Sequence, residues 1–529
     1  MNLCSTNADT NSYLRLPKKD QKSPTKYLIG IDLGTSGTKT VLFTEAGAVV
    51  ASALAEYPLY QPQNGWAEQD PAHWWDACVT TVKTVLSGVD AKQVAGIGLS
   101  GQMHGLVLLD GNGKVLRNSI LWCDGRTAAE CAEITETIGT KRLVEITANP
   151  ALTGFTAGKI LWVRKNEPEL YAKVRHILLP KDYLRYKLTG VIASEVSDAS
   201  GMNLLDIRTR QWSDEILSKL NIDREFLPSM HESFEITGGV SAEAAALTGL
   251  QEGTPVVGGA GDNAAAAVGT GIVENGKAFV TIGTSGVIFA HSDSVAIDHF
   301  GRVHTFCAAV PGAWTVMSCT LSAGGSLQWF RNNFCAAEMQ AASDMGKDSY
   351  ELLNIEAERV PIGSNRLLFL PYLMGERSPI LNPNARGVFF GLSGMHRRPD
   401  MLRAVMEGVV FSQRSCLDIL REMNVPFKEM IATGGGSRSV LWRQMLADVL
   451  NCPVVTIDNA EGPALGVAIL AGVGVGLYAN IPEACATLIK KREPQQPSRE
   501  SSVQYEPYYK LYTELYGQLT EPFKTLAGL

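Results

Sequence analysis

Tyr27 to Gly47 reads YLIGIDLGTSGTKTVLFTEAG, and Lys277 to Ala290 reads KAFVTIGTSGVIFA. In each stretch a β-rich apolar run enters a Gly-Thr-Ser-Gly turn and a second apolar run leaves it. Short strands flanking residues that tolerate unusual φ/ψ predict a β-hairpin. A turn of this composition aims several backbone N–H groups and small hydroxyls at one point, and its glycines let a ligand approach the main chain. Phosphate oxygens fit such a concavity. A single GTSG could be an ordinary hairpin turn. Two copies, at Gly34–Gly37 and Gly283–Gly286, point instead to a duplicated domain with a phosphate loop in each half, and to a nucleotide held between the halves.

The rest of the chain is consistent with that division. Its 529 residues suggest two to four domains. A net charge of −7 gives no support to a nucleic-acid or acidic-membrane partner. Ten cysteines are scattered without C-x-x-C pairs or zinc spacing, as in a reducing compartment. No apolar stretch reaches membrane-spanning length unbroken, and residues 1–26 lack the apolar core of a secretory signal. We read 1–26 as a disordered extension, 27–270 as a first lobe and 271–529 as a second. A cytoplasmic enzyme is the expected class.

Several local patterns place polar residues at the ends of strands. Asp70 caps a helix beginning at Pro71, whose Trp74, Cys78, Val82 and Val85 form an apolar face. Val94–Leu99 is a buried strand running into Ser100-Gly101-Gln102-Met103-His104-Gly105, and ligands gather at such strand ends in α/β folds. Ser194–Asp206 is polar and turn-rich and predicts a loop bordering a site. Val256-Val257, a glycine loop and an Ala-rich helix put Asp262 and Asn263 at a helix start. Gly434–Gly436 lie between a strand and a helix, and the small residues of Ala464–Gly472 predict close helix packing.

These stretches, in their order along the chain, resemble the FGGY carbohydrate kinases. The resemblance is carried by IGIDLGTSGTK from Ile29, GWAEQDPAHWW from Gly65, GQMHG from Gly101, LWCDGR from Leu121 and LPKDYLRYKLTG from Leu179. It continues through SDASGMNLLD from Ser197, GGAGDNAAAAVG from Gly258, TIGTSG from Thr281, FLPYLMGERSPILNPNARGVFFGL from Phe369 and ATGGGSRSVLWRQMLADVLNCPV from Ala432. It covers the chain from about Tyr27 to the C-terminus. It implies an α/β, actin/hexokinase-like (ribonuclease H-like) duplicated fold, two lobes with a central cleft.

What the resemblance implies about chemistry is phosphoryl transfer from ATP, with Mg²⁺, to a sugar hydroxyl. The GQMHG stretch resembles the version of this loop in members that act on D-xylulose, giving D-xylulose 5-phosphate. Another ketose, a polyol or an aldonate is the alternative. A non-catalytic, nucleotide-gated binding module is the rival from another class. The expected partners are D-xylulose and Mg-ATP, with neither nucleic acid nor membrane, and a homodimer is left open. Asp262 is the expected general base, against a role as a helix cap. Asp32 suits Mg²⁺ through water, or an Asx turn. Met103, His104 and Asn263 are expected at the sugar, with Gln102 and Asp124 as further candidates. Thr35, Ser36 and Thr38 offer phosphate or turn hydroxyls, and Lys39 either reaches a phosphate or stays solvated. Gly283, Thr284 and Ser285 form the second phosphate turn. Gly435 and Gly436 lie flat against the nucleoside, with Ser439 and Trp329 as adenosine neighbours. Glu376 and Arg377 are expected to pair. Ser378 stands where the family more often has Thr. Met202-Asn203 stand where a small hydroxyl is commoner, and are expected to adjust the sugar pocket.

Overall fold

The computed structural model of the protein describes residues 25–458 and 461–529, so the expected extension lies outside it up to residue 24. Both GTSG hairpins form. Tyr27–Leu33 pairs antiparallel with Gly37–Thr44, Leu33 opposite Thr38, which leaves Gly34–Ser36 as the tip. Gly37–Thr44 pairs antiparallel with Val49–Glu56, while Tyr27–Leu33 runs parallel to Val94–Gly101. The second hairpin repeats this. Gly276–Ile282 pairs antiparallel with Gly286–Ser292, which pairs antiparallel with Trp314–Thr320. Gly276–Ile282 also runs parallel to Phe427–Thr433. The same four-strand pattern therefore occurs twice, as a duplicated α/β fold requires.

Each sheet gains a strand beyond its parallel pair, Pro255–Val257 in the first and Val454–Val455 in the second. A small-residue helix follows each, Asp262–Thr270 and Gly462–Gly474. These two helices pack on one another. A Cβ on Gly466 would lie 1.9 Å from the Ala265 carbonyl oxygen, and one on Gly30 would lie 2.0 Å from that of Ala464. Only glycine permits such an approach of backbone to backbone. Although it comes late in the chain, helix Gly462–Gly474 shares a core with the first sheet, where Leu465, Val467 and Ile469 join Leu28, Val41 and Phe43. The second lobe has its own core of Ile282, Phe330, Phe369 and Phe411, completed by Tyr505, Tyr509 and Tyr512 of helix Arg499–Ala527. Full burial of side chains of this size stabilises a fold by about 1.5–3 kcal/mol each. Two lobes facing across a cleft, the expected arrangement, are what the chain forms.

Ser194–Asp206 is not a loop. It contains the strand Ala193–Glu195, helical turns Val196–Ala199 and Ser200–Met202, and the strand Leu205–Asp206. Its polar residues are buried rather than solvated, because they neutralise one another. Lys181 Nζ lies 2.8 Å from Asp182, 3.2 Å from Glu195 and 3.3 Å from Asp198, all fully buried. Met202 packs among Ile160, Leu204 and Leu205 in the core, and Asn203 takes a left-handed turn beneath it (φ 59°). Both are buried, so neither presents its side chain to solvent.

Candidate active site

Strand Val94–Gly101 ends beside Tyr27–Leu33, Gly101 opposite Leu33, so the loop after it emerges next to the first phosphate hairpin. The buried Gln102 ties the two together. Its Nε2 donates to Gln69 Oε1 (3.0 Å), its Oε1 accepts from Thr35 Oγ1 (3.3 Å), and Gln69 Nε2 donates to the Thr35 carbonyl (2.7 Å). Trp122, 44% exposed, donates its indole N–H to Thr35 Oγ1 (3.0 Å). Thr35 is thus held by three side chains. Ser36 beside it is exposed, whereas Thr38 is buried beneath the turn. Lys39 pairs with Glu461 rather than standing free in solvent.

Met103 is buried, its side chain against Gly261 and Gly201. His104 adopts a left-handed backbone conformation with φ of 67°, uncommon for a residue other than glycine. Its Nδ1 lies 2.9 Å from the Gly201 carbonyl. Only a protonated Nδ1 can make that bond. Burial, together with the Lys159 ammonium, holds the imidazole well below its usual pKa, so the ring is neutral. The Nε2 is therefore left as a lone-pair acceptor, a partner for a sugar hydroxyl. Phe155 packs on the ring with centroids 4.6 Å apart.

The Met103–Gly261 contact brings this loop to Asp262. Asp262 is the first helical residue and Gly261 the cap, so its carboxylate is not an N-cap. Its Oδ1 accepts from the Asn263 backbone N–H (2.7 Å) and from Asn263 Nδ2 (3.2 Å). Burial, and secondarily the negative charge of Asp32, push its pKa up to about 7. Such a value is poised for proton transfer near neutrality. Asp32 itself is raised by burial, and its Oδ1 is a buried oxygen with no hydrogen-bond partner. An orphaned carboxylate oxygen beside a phosphate turn fits a hydrated divalent cation, which needs few direct protein ligands.

The second hairpin opens onto a cavity of about 590 Å³ lined by Gly283, Thr284, Gly435, Gly436 and Ser439, together with Tyr350, Asn354 and Arg438. Gly434 takes φ of 80° against the Ile282 carbonyl, which lays the triple-glycine turn onto the hairpin. Ser439 caps helix Val440–Leu450, accepting from Trp442 N–H (3.1 Å), and donates to Asn354 Oδ1 (2.8 Å). Ser285 sits at the hairpin tip, where its carbonyl accepts from Gly283 N–H (3.1 Å). Trp329 lies elsewhere. It lines an adjoining hollow of about 450 Å³ that shares Thr284, Gly325 and Gln328 with the first.

Three expectations change. Asp124 serves the scaffold, because its carboxylate takes the Ala67 N–H (2.6 Å) and forms a two-pronged pair with Arg126 (2.9 and 2.7 Å). Glu376 does not pair with the Arg377 guanidinium among the described residues. Its Oε1 instead accepts from the backbone N–H groups of Leu321 and Arg377 (both 2.8 Å), and burial pushes its pKa up to about 7. Lys39 is anchored, as above. Sequence reasoning also missed Gln69, Trp122, Lys159 and Asn354. Gln69 and Trp122 lay in stretches quoted for the family resemblance, which is the signal that could have singled them out. Asn354 carries no local pattern.

A carboxylate held near pKa 7, a second with an unpartnered buried oxygen and two GTSG hairpins are the features a phosphoryl-transferring enzyme needs. Residues 27–269 match the N-terminal domain of the FGGY family of carbohydrate kinases, and 278–475 match its C-terminal domain. The chain belongs to that family and is a sugar kinase. It is 41% identical to the xylulose kinase of Bacillus subtilis over 93% of this chain and 97% of that one. It is 39% identical to the xylulose kinase of Escherichia coli over 93% and 99%. The crystal structure of xylulose kinase from Rhodospirillum rubrum superposes with a TM-score of 0.87 at 30% identity, covering 94% of this chain and all of the other. No helix among the described residues is long and apolar enough to cross a membrane.

Proposed function

We propose that the protein phosphorylates D-xylulose to D-xylulose 5-phosphate with Mg-ATP. The observation that carries the reading is Asp262, partly open to the cleft, held near a pKa of 7 and adjoining both Met103 and the field of Asp32. The similarity to xylulose kinases supports the choice of sugar.

In this reading the sugar lies on Met103, with one hydroxyl donating to His104 Nε2 and Asn263 fixing another. Asp262 accepts the proton of the reacting hydroxyl. That transfer accompanies bonding of the hydroxyl oxygen to the terminal phosphorus, as the bond from that phosphorus to the bridging oxygen breaks and releases ADP. A carboxylate suffices, because in a loose transition state the proton leaves late. The two GTSG turns, through Thr35, Ser36, Gly283, Thr284 and Ser285, present N–H groups and hydroxyls to the phosphates. Gly435, Gly436 and Ser439 receive the nucleoside. Bound near Asp32, Mg²⁺ supplies neutralisation of phosphate charge. Cytoplasmic location belongs to the same proposal.

The test is ADP release measured with Mg-ATP over a panel of D-xylulose, D-ribulose, L-ribulose, L-xylulose, glycerol and gluconate. Turnover on D-xylulose far above the others is expected. Preference for another member overturns the choice of sugar. ATP binding with no sugar-dependent ADP overturns the kinase reading.

A further inference from the structure

Lys159 is fully buried, yet it faces no carboxylate within ion-pairing distance among the described residues. Its ammonium donates to two backbone carbonyls, that of His104 (2.8 Å) and that of Gly154 (2.7 Å). The position is costly in three ways. An ammonium without a carboxylate partner is expensive to bury. Lys159 stands in the first turn of helix Thr156–Asn166, where the helix dipole repels a cation. The residue it grips, His104, is held at a positive φ that a side chain disfavours. Burial accordingly lowers the pKa of Lys159 to about 7, with Asp124 and Cys123 acting in the opposite direction and Arg126 adding to the loss.

The geometry supplies a reason. Thr156 Oγ1 adds a second donor to the same His104 carbonyl (3.1 Å). The His104 backbone is thus pinned on its carbonyl side by Lys159 and Thr156, while its ring is pinned by the Gly201 carbonyl. With both held, the free Nε2 has one orientation. We propose that Lys159 is the positioning residue of the sugar site, holding His104 in its left-handed turn so that Nε2 accepts a sugar hydroxyl. This rests on the sugar-kinase reading above and adds a residue that touches no substrate itself. The ligand class is a polyhydroxy ketose recognised by donation to a neutral imidazole.

The experiment compares wild type, Lys159→Met and Thr156→Val in steady state, with whichever sugar of the panel the wild type turns over. A bond from a charged donor is worth about 1.5–3 kcal/mol, or roughly ten- to a hundredfold in affinity. The sugar KM of Lys159→Met should rise by at least about tenfold while the ATP KM and kcat stay within about threefold. Thr156→Val, which removes a neutral donor, should raise the sugar KM by roughly threefold with the same split. A folded Lys159→Met with a sugar KM within about twofold of wild type overturns the proposal, as does an equal rise in both KM values, the sign of general loosening. If Lys159→Met does not fold, Thr156→Val decides on the same criterion. Wild type inactive on D-xylulose but active on another sugar defeats only the choice of sugar. Wild type inactive on all of them defeats the kinase reading and this proposal with it.

Discussion

Replacing Asp262 by Asn should make the protein both nearly inactive and more stable, and the second effect should depend on pH. In the folded chain burial and the Asp32 charge hold the Asp262 carboxyl near 7 against an ordinary 3.8. The folded state therefore binds a proton more tightly than the unfolded chain. Stability conferred by the protonated form is intact below about pH 4 and is lost as pH rises through about 7. Each pH unit across that gap is worth about 1.4 kcal/mol, so a fully buried carboxylate would cost about 4 kcal/mol at pH 8. Asp262 keeps some contact with solvent, and screening reduces this to about 2 kcal/mol. The amide of Asn retains the acceptor for the Asn263 N–H (2.7 Å) and carries no charge. With an unfolding entropy of about 2.1 cal/mol/K per residue over a lobe of about 250 residues, 2 kcal/mol corresponds to a Tm rise of about 4 °C. Calorimetry of both proteins at about pH 4 and about pH 8 should show this gain at the higher pH and little at the lower. Turnover should fall by about 10²–10⁴. Equal Tm values at the higher pH would show that the surroundings do not raise the pKa of Asp262. Near-normal turnover would remove it from the mechanism.

Asp32→Asn should raise the Mg²⁺ concentration needed for half-maximal activity. It should also move the acid limb of the pH–rate profile downward, because the Asp32 charge helps to raise Asp262; titrations of rate against Mg²⁺ and pH check both. Gln69→Leu removes the route from Thr35 to Gln102 through Gln69, leaving only the direct Thr35 Oγ1–Gln102 bond, and should weaken the effect of sugar on nucleotide affinity. Binding of a non-hydrolysable ATP analogue, measured with and without sugar, reads that coupling directly. Gly466→Ala pushes a methyl into the Ala265 carbonyl. A loss of about 1–3 kcal/mol, seen as a lower midpoint in urea, is expected from such overpacking.

Much of this architecture is local in origin and so could be read from residues alone. A β-hairpin is specified by its own turn and flanking runs, which is why both GTSG hairpins, the Asp70 cap and the close-packing helix at Gly462–Gly474 were legible. Asp262, Met103 and His104 were legible as candidates because each follows a strand end or loop of marked composition. What only the tertiary structure decided are facts about neighbours distant in sequence. The polar run at Ser194–Asp206 is buried because Lys181 lies against it. Trp329 points into the hollow beside the cavity at the second hairpin because helix Gly324–Phe334 turns it there. Glu376 binds backbone amides because Leu321 is brought to it. The raised pKa of Asp262, the neutral His104 and the grip of Lys159 arise from desolvation and from charges dozens to hundreds of residues away. Residue order determines which groups the chain carries and what local shape they take. Their ionisation and orientation depend on the low-dielectric surroundings that exist only once the two lobes have folded.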